Sequence, residues 1–307
     1  MQQLLNAQAD RTARRAADGT GLTGPGKAAG APCGGPAATW RPGRSRMDMT
    51  TPATTTLSPD DIARFGADPA GAFAANLQTV QARIAGACRR CGRDPASVRL
   101  LPVTKTVPAH ILRLAFSAGI ADFGENKLQE ARGKQAALAD LPIRWNIIGH
   151  LQTNKVKYLV RLASEFHSLD SLRLAEELNR RLEAQGRDLD VFVQVNTSGE
   201  DSKYGLHPDA LLPFVERLPD YPRLKPRGLM TLAIFSADVE RVRGCFRLLR
   251  ALRDRAARVH PGLTGLSMGM SGDYEIAIEE GASVVRVGQA IFGARPTSDA
   301  FYWPGLA

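Results

Sequence analysis

Residues 98–108 read VRLLPVTKTVP, and the way this stretch ends decides between two α/β folds. Val98, Leu100, Leu101 and Val103 form a short apolar, β-branched run that predicts a strand, and Pro108 stops it. The turn that follows, TKTVPAH (104–110), contains no glycine. A doubly wound open sheet usually has a Gly-rich turn after its first strand, where backbone must approach a phosphate closely. Its absence here favours a closed barrel. The same turn raises a chemical question, because Lys105 sits at the mouth of a buried strand. An ammonium placed there must reach water, find a partner, or react.

Outward from this strand, the pattern repeats. Strand-like runs are VRLLPV, IADFG, RWNIIG, EFHSLD, DVFVQVN, PRGLMTL, LTGLSMG and SVVRVG. Between them lie helix-like segments such as AHILRLAFSAG, KLQEARGKQAALAD and SLRLAEELNRRLEAQG. Eight such units predict an α/β fold of the (β/α)8 TIM-barrel type in a single domain. A helical segment, AGAFAANLQTVQARIAGACRRCG, precedes the first strand. Residues 1–56 lack this periodicity and are rich in Gly, Pro, Ala, Thr and Arg, which predicts a disordered extension before a barrel over 57–307.

Bulk properties exclude several classes. No apolar run approaches a membrane span, and the first residues lack the apolar core of a secretory signal, so a cytoplasmic protein is expected. The net charge of +9 invites a nucleic-acid partner, but seven basic and two acidic residues in 1–46 supply +5 of it. The mild remainder carries no aromatic-interleaved basic stripe, and no nucleic acid or membrane partner is expected. Cys88 and Cys91 form one CxxC with no second pair at ligand spacing, which reads as two ordinary helix-end thiols and no metal site.

In a (β/α)8 barrel the chemistry lies at the C-terminal ends of the strands. Two of those ends carry specific patterns. In MGMSGDYEIAIEEG (268–281), Ser271 and Gly272 stand between a strand and a helix pattern, and Ser271 is expected to cap that helix where free N–H groups suit a phosphate. In VVRVGQAIFG (284–293), period-two alternation puts Val284, Arg286 and Gly288 on one face and Val285 and Val287 on the other. The same alternation aligns Leu101, Val103 and Lys105. A lysine, an arginine and a phosphate cradle at one barrel mouth point to pyridoxal 5'-phosphate (PLP), whose aldehyde forms Schiff bases with amines. A further lysine, Lys203, lies in NTSGEDSKYG (196–205), a loop whose composition predicts mobility. It reads either as a second amine near the mouth or as a lysine paired with Glu200 or Asp201.

With these residues in view, the chain resembles the pyridoxal phosphate homeostasis protein family over about residues 65–296. The resemblance rests on VTKT (103–106), FGENKLQE (123–130), WNIIGHLQTNK (145–155), VNTSGEDSKYG (195–205), RGLMTL (227–232), LSMGMSGDYEIAIEEGA (266–282) and VRVGQAIFGAR (285–295). It implies an alanine-racemase-like barrel, PLP on Lys105, phosphate held by Ser271 and Gly288, Arg286 at the pyridine nitrogen, and Asn126 near the cofactor. Gln289 stands where the family carries a small hydroxyl residue, which implies a contact through its backbone N–H. The resemblance implies a PLP carrier without robust turnover, with PLP and apo PLP-dependent enzymes as partners. The alternative is a PLP-dependent amino-acid racemase. That reaction needs a second base from a separate domain, and the fourteen residues after Gly293, Tyr302 among them, are not expected to supply one. A PLP-free barrel enzyme such as an aldolase using Lys105 is a third reading.

Overall fold

The structure, a computed structural model, describes residues 56–294. The expected disordered extension lies outside them, apart from its last residue. Eight parallel strands form the barrel: β1 (Arg99–Pro102), β2 (Asp122–Glu125), β3 (Arg144–Ile147), β4 (Ala163–Leu169), β5 (Leu189–Gln194), β6 (Leu224–Met230), β7 (Gly265–Ser267) and β8 (Val284–Val287). Their order in the sheet is β1-β8-β7-β6-β5-β4-β3-β2. The circle closes where Val103 bridges Gly124 and the Thr104 N–H donates to the Gly124 carbonyl at 2.9 Å. Within the described residues the eight-unit barrel read from the sequence is the observed fold.

Helices α1 (Pro59–Phe65) and α2 (Pro69–Arg90) precede the barrel. Helix α1 begins earlier than the hydrophobic periodicity predicts. It starts at a reciprocal capping box: the Ser58 hydroxyl accepts from the Asp61 N–H at 3.1 Å, and the Asp61 carboxylate accepts from the Ser58 N–H at 3.0 Å. The outer helices that follow the strands are α3 (Ala109–Ser117), α4 (Leu128–Ala137), α5 (Val156–Leu162), α6 (Leu172–Glu183), α7 (Leu211–Glu216), α8 (Val239–Val259), α9 (Tyr274–Glu279) and α10 (Gln289–Phe292). Cys88 is buried near the end of α2 and the Cys91 thiol lies against the Ala87 carbonyl, as expected of helix-end thiols. Among the described residues, no helix is long and apolar enough to cross a membrane.

The main core lies between barrel and helices. Val285 and Val287 belong to it, with Phe123, Phe166, Leu229 and Leu266 from other strands. Inside the barrel the apolar cluster is small: Leu101, Phe192, Met230 and Val284. Because Val284 faces inward, its alternate partner Arg286 does too, opposite Leu101 in the β1–β8 register. Buried polar residues, His167, Ser267 and Arg286 among them, occupy positions that apolar layers usually fill in this fold.

Candidate functional site

Lys105 lies in the turn after β1, two residues beyond the Val103 bridge, and is half-buried. The next residue, Thr106, has φ of 65°. Among the described residues it is the sole non-glycine in that left-handed region, which costs about 1–3 kcal/mol for such a residue. Such a conformation persists only where its surroundings enforce it. The Thr106 N–H donates to Glu130 Oε1 at 2.7 Å, its carbonyl accepts from Arg64 Nη1 at 2.8 Å, and its hydroxyl accepts from Arg64 Nη2 at 3.1 Å.

On the other side of Lys105, Thr104 is fully buried. Its carbonyl accepts from Lys134 Nζ at 2.8 Å, and its hydroxyl donates to Glu125 Oε1. The Lys134 ammonium also meets Glu125 Oε1 at 2.8 Å and Glu130 Oε1 at 2.6 Å. Burial pushes the Glu125 carboxyl above its ordinary range, with Lys134 opposing. Both chain neighbours of Lys105 are thus pinned by one ionic cluster lying in the helix layer behind β1 and β2. The sequence reading missed Arg64, Glu130 and Lys134. The signals were present, a capping box before α1 and an i,i+4 Glu–Lys pair on α4, but neither pattern points to a site.

The opposite flank comes from β7 and β8. Arg286 is buried, and its guanidinium donates from Nη1 to Ser267 Oγ at 2.7 Å and from Nη2 to the Thr231 carbonyl at 2.8 Å. Burial lowers its pKa to about 10, with Asp273 opposing, so it stays charged at neutral pH. The expected helix cap is corrected: Asp273, not Ser271, occupies the N-cap position of α9. The Ser271 hydroxyl instead accepts the Gly288 N–H at 3.3 Å and links the two loops. Gly269, at φ of 94°, turns the chain so tightly that a Cβ there would come within 2.7 Å of Ala277. A Cβ at Gly288 would sit 3.0 Å from the Val103 carbonyl, so this glycine lets the β8 end pass the β1 end. Gln289 opens α10 directly after it.

Lys105, Ser271, Arg286, Gly288 and Gln289 therefore share one end of the barrel around the β1–β8 seam. Asn126 follows β2 at the same end but is exposed and packs towards the next loop: a Cβ on Gly149 would lie 2.1 Å from its carbonyl oxygen. The loop after β5, whose composition predicts mobility, is tied together by its own hydrogen bonds. Asn196 organises it, donating to the Glu200 and Lys203 carbonyls and accepting from Ser198 and Gly199 N–H groups. Lys203 is nearly buried, bonded to the Ala233 carbonyl at 2.8 Å and paired with Glu200 at 2.5 Å. Tyr302 lies outside the described residues.

The barrel with an amine turn on one flank and a guanidinium with a glycine–serine link on the other is the alanine-racemase type of barrel, and residues 71–296 match the family model for the alanine racemase N-terminal domain. The chain is 46% identical over 223 residues to the pyridoxal phosphate homeostasis protein of Pseudomonas aeruginosa, covering 73% of this chain and 96% of that one. It is 44% identical to the protein of the same name from Aquifex aeolicus, covering 71% and 96%. PipY of Synechococcus elongatus, solved with PLP bound, superposes with a TM-score of 0.64 at 34% identity, covering 72% of this chain and 100% of that one. The chain belongs to the pyridoxal phosphate homeostasis protein family.

Proposed function

We propose that this chain binds PLP, holds it as a Schiff base on Lys105, and serves intracellular PLP homeostasis in the cytoplasm as a carrier without robust turnover. The observation that carries this reading is the pinned turn: Thr104 and Thr106 are fixed on both sides of Lys105, at the barrel end where Arg286, Ser271 and Gly288 meet. A lysine that must repeatedly meet one aldehyde carbon benefits from such a fixed backbone.

The residues fit the group. The Ser271 and Gly272 N–H groups have no acceptor among the described residues, and a Cβ on Gly272 would meet nothing within 4 Å. Those donors, with the Ser271 hydroxyl, the Gly288 approach and the Gln289 backbone, make a phosphate cradle. Arg286 faces the ring nitrogen and Asn126 lies beside the cofactor in this reading. Bound PLP supplies an electrophilic aldehyde and an electron-withdrawing ring. A charged guanidinium at the ring nitrogen disfavours its protonation and weakens the ring as an electron sink, an arrangement that racemases of this fold also tolerate. Apo PLP-dependent enzymes are the recipients that such a carrier serves.

The test is an absorbance spectrum of the protein with PLP before and after borohydride, with mass mapping of the modified residue. A visible band lost on reduction, with a pyridoxyl group on Lys105, supports the reading. A colourless protein, or label confined to another lysine, overturns it. Racemisation of amino acids at rates typical of dedicated enzymes overturns the carrier role while leaving the site in place.

A further inference from the structure

A line of hydrogen bonds runs through the barrel interior from the mouth to the opposite end. Arg286 Nη1 donates to Ser267 Oγ at 2.7 Å. Ser267 Oγ lies 2.9 Å from His167 Nδ1, and His167 Nε2 lies 2.9 Å from Glu165 Oε2. Glu165 in turn is bonded by Arg99, at the start of β1. His167 and Ser267 are fully buried, and His167 stacks on Phe192 with ring centroids 4.4 Å apart.

Donor chemistry allows this line a single direction. A guanidinium only donates, so Ser267 Oγ accepts from Arg286 and has its own proton to give. If His167 carried its proton on Nδ1, it would offer a second donor to Ser267 and turn a bare Nε2 towards Glu165. That arrangement requires a protonated Glu165. Burial disfavours the Glu165 charge, but the His167 hydrogen bond and the Arg99 charge outweigh it and hold the carboxyl below its ordinary range. Glu165 is therefore ionised; full burial of the ring lowers the His167 pKa and keeps it neutral, so its one proton sits on Nε2 and Ser267 donates to Nδ1. Every proton in the line points from the mouth towards Glu165.

We infer that His167 and Glu165 are positioning residues for Arg286, fixing its guanidinium through Ser267 and thereby setting the hydrogen bonding of the ring nitrogen that Arg286 faces. This inference rests on the PLP reading above. The groups touching Arg286 on its inner side are neutral, so no carboxylate competes there for its outward donors. Glu165 stands two hydrogen bonds further in and is paired with Arg99, while the carboxylate whose charge acts on Arg286 is that of Asp273.

The test uses PLP labelled with 15N in the ring, bound to wild type, Ser267→Ala, His167→Phe, Arg286→Met and the His167→Phe/Arg286→Met double variant. The ring-nitrogen resonance is expected to move in His167→Phe and Ser267→Ala in the same direction as in Arg286→Met. The double variant should match Arg286→Met alone, a non-additivity that a merely structural role does not produce. A folded His167→Phe with an unmoved resonance overturns the inference. If the variants fail to fold, wild type labelled with 15N in its histidines decides: His167 should show the Nε2–H tautomer and an Nδ1 resonance that moves when PLP is added. The Nδ1–H tautomer, or a resonance indifferent to PLP, overturns it. The PLP reading fails separately, by wild type giving no visible band with PLP.

Discussion

The two flanks of the barrel mouth are held in opposite ways. On the Lys105 flank the ties come from outside the barrel and are ionic, with Arg64, Glu130 and Lys134 gripping the backbone of Thr104 and Thr106. On the Arg286 flank they come from inside and are made to neutral atoms, Ser267 Oγ and the Thr231 carbonyl. The difference follows from what each flank presents. A flexible four-carbon lysine has to be placed by its backbone, so the clamp acts on the peptide groups on either side of it. A planar guanidinium is placed by its own donors, so the supports act on the side chain and leave its charge uncompensated at contact.

The largest effect that separates the flanks is expected from Lys105→Ala. It removes the amine and leaves the bonds of Thr104, Thr106 and Arg286 in place, so the visible band with PLP should vanish while the protein stays folded. Borohydride trapping with peptide mapping checks this, and full-yield label on one different lysine would place the site elsewhere.

Next comes Lys134→Met. Lys134 and Glu125 are both buried, and removing the cation leaves Glu125, Glu130 and the Thr104 carbonyl without their shared partner. Breaking a buried pair in this way costs about 3–5 kcal/mol. Urea titration measures it. A loss below about 1 kcal/mol would place the cluster among ordinary surface ion pairs.

These two expectations also mark what the sequence discloses. The Arg286 flank is legible because strand alternation is local: Val284, Arg286 and Gly288 share a face in the sequence pattern as in the barrel, and Lys105 follows from the same rule on β1. The Ser271 cap was misread by two residues, because Asp273 lies between it and α9 and takes the N-cap position. The Lys105 clamp is not legible for a different reason. Glu130 and Lys134 look like any solvated i,i+4 pair, and only the packing of α4 on β2 and β3 buries the lysine. Arg64 reaches a residue 42 positions away. His167, inside EFHSLD, gives no local sign that its ring lies on the barrel axis side, between Glu165 and Ser267.

A smaller effect is expected from Arg64→Met. Thr106 keeps its bond to Glu130 but loses two bonds that hold it at φ of 65°, which should cost about 1–2 kcal/mol and slow Schiff-base formation with PLP. Thr106→Gly in that background should restore part of the rate, because glycine adopts the left-handed region without steric cost. Stopped-flow absorbance on mixing with PLP measures both. Equal rates in wild type and Arg64→Met would show that Glu130 alone fixes the turn.

The smallest effect is a slope. Burial holds the His167 pKa below its ordinary value, although Glu165 opposes that shift. The unfolded chain therefore takes up a proton near pH 6.5 that the folded chain refuses. Stability contributed by neutral His167 is present above that pH and declines as pH falls, by at most about 1.4 kcal/mol per pH unit for one proton. Glu125, Asp170 and Asp273 shift the other way: burial raises their carboxyls, so the folded chain binds their protons first and gains stability as pH falls. The wild-type profile alone mixes these opposing contributions. The difference between wild type and His167→Phe cancels the three raised carboxyls, which the variant keeps, and leaves the histidine with its bonded partner Glu165. In wild type the window between pH 6.5 and 5 stays above the range where Glu165 takes up its proton; in the variant Glu165 loses the His167 bond that lowers it, and any uptake there adds to the same divergence. Urea titrations across that window should show the wild type losing stability relative to His167→Phe as pH falls. Parallel profiles would mean that His167 accepts its proton inside the barrel, with Ser267 turning away to let it. That result would tie the geometry of the Arg286 flank to pH.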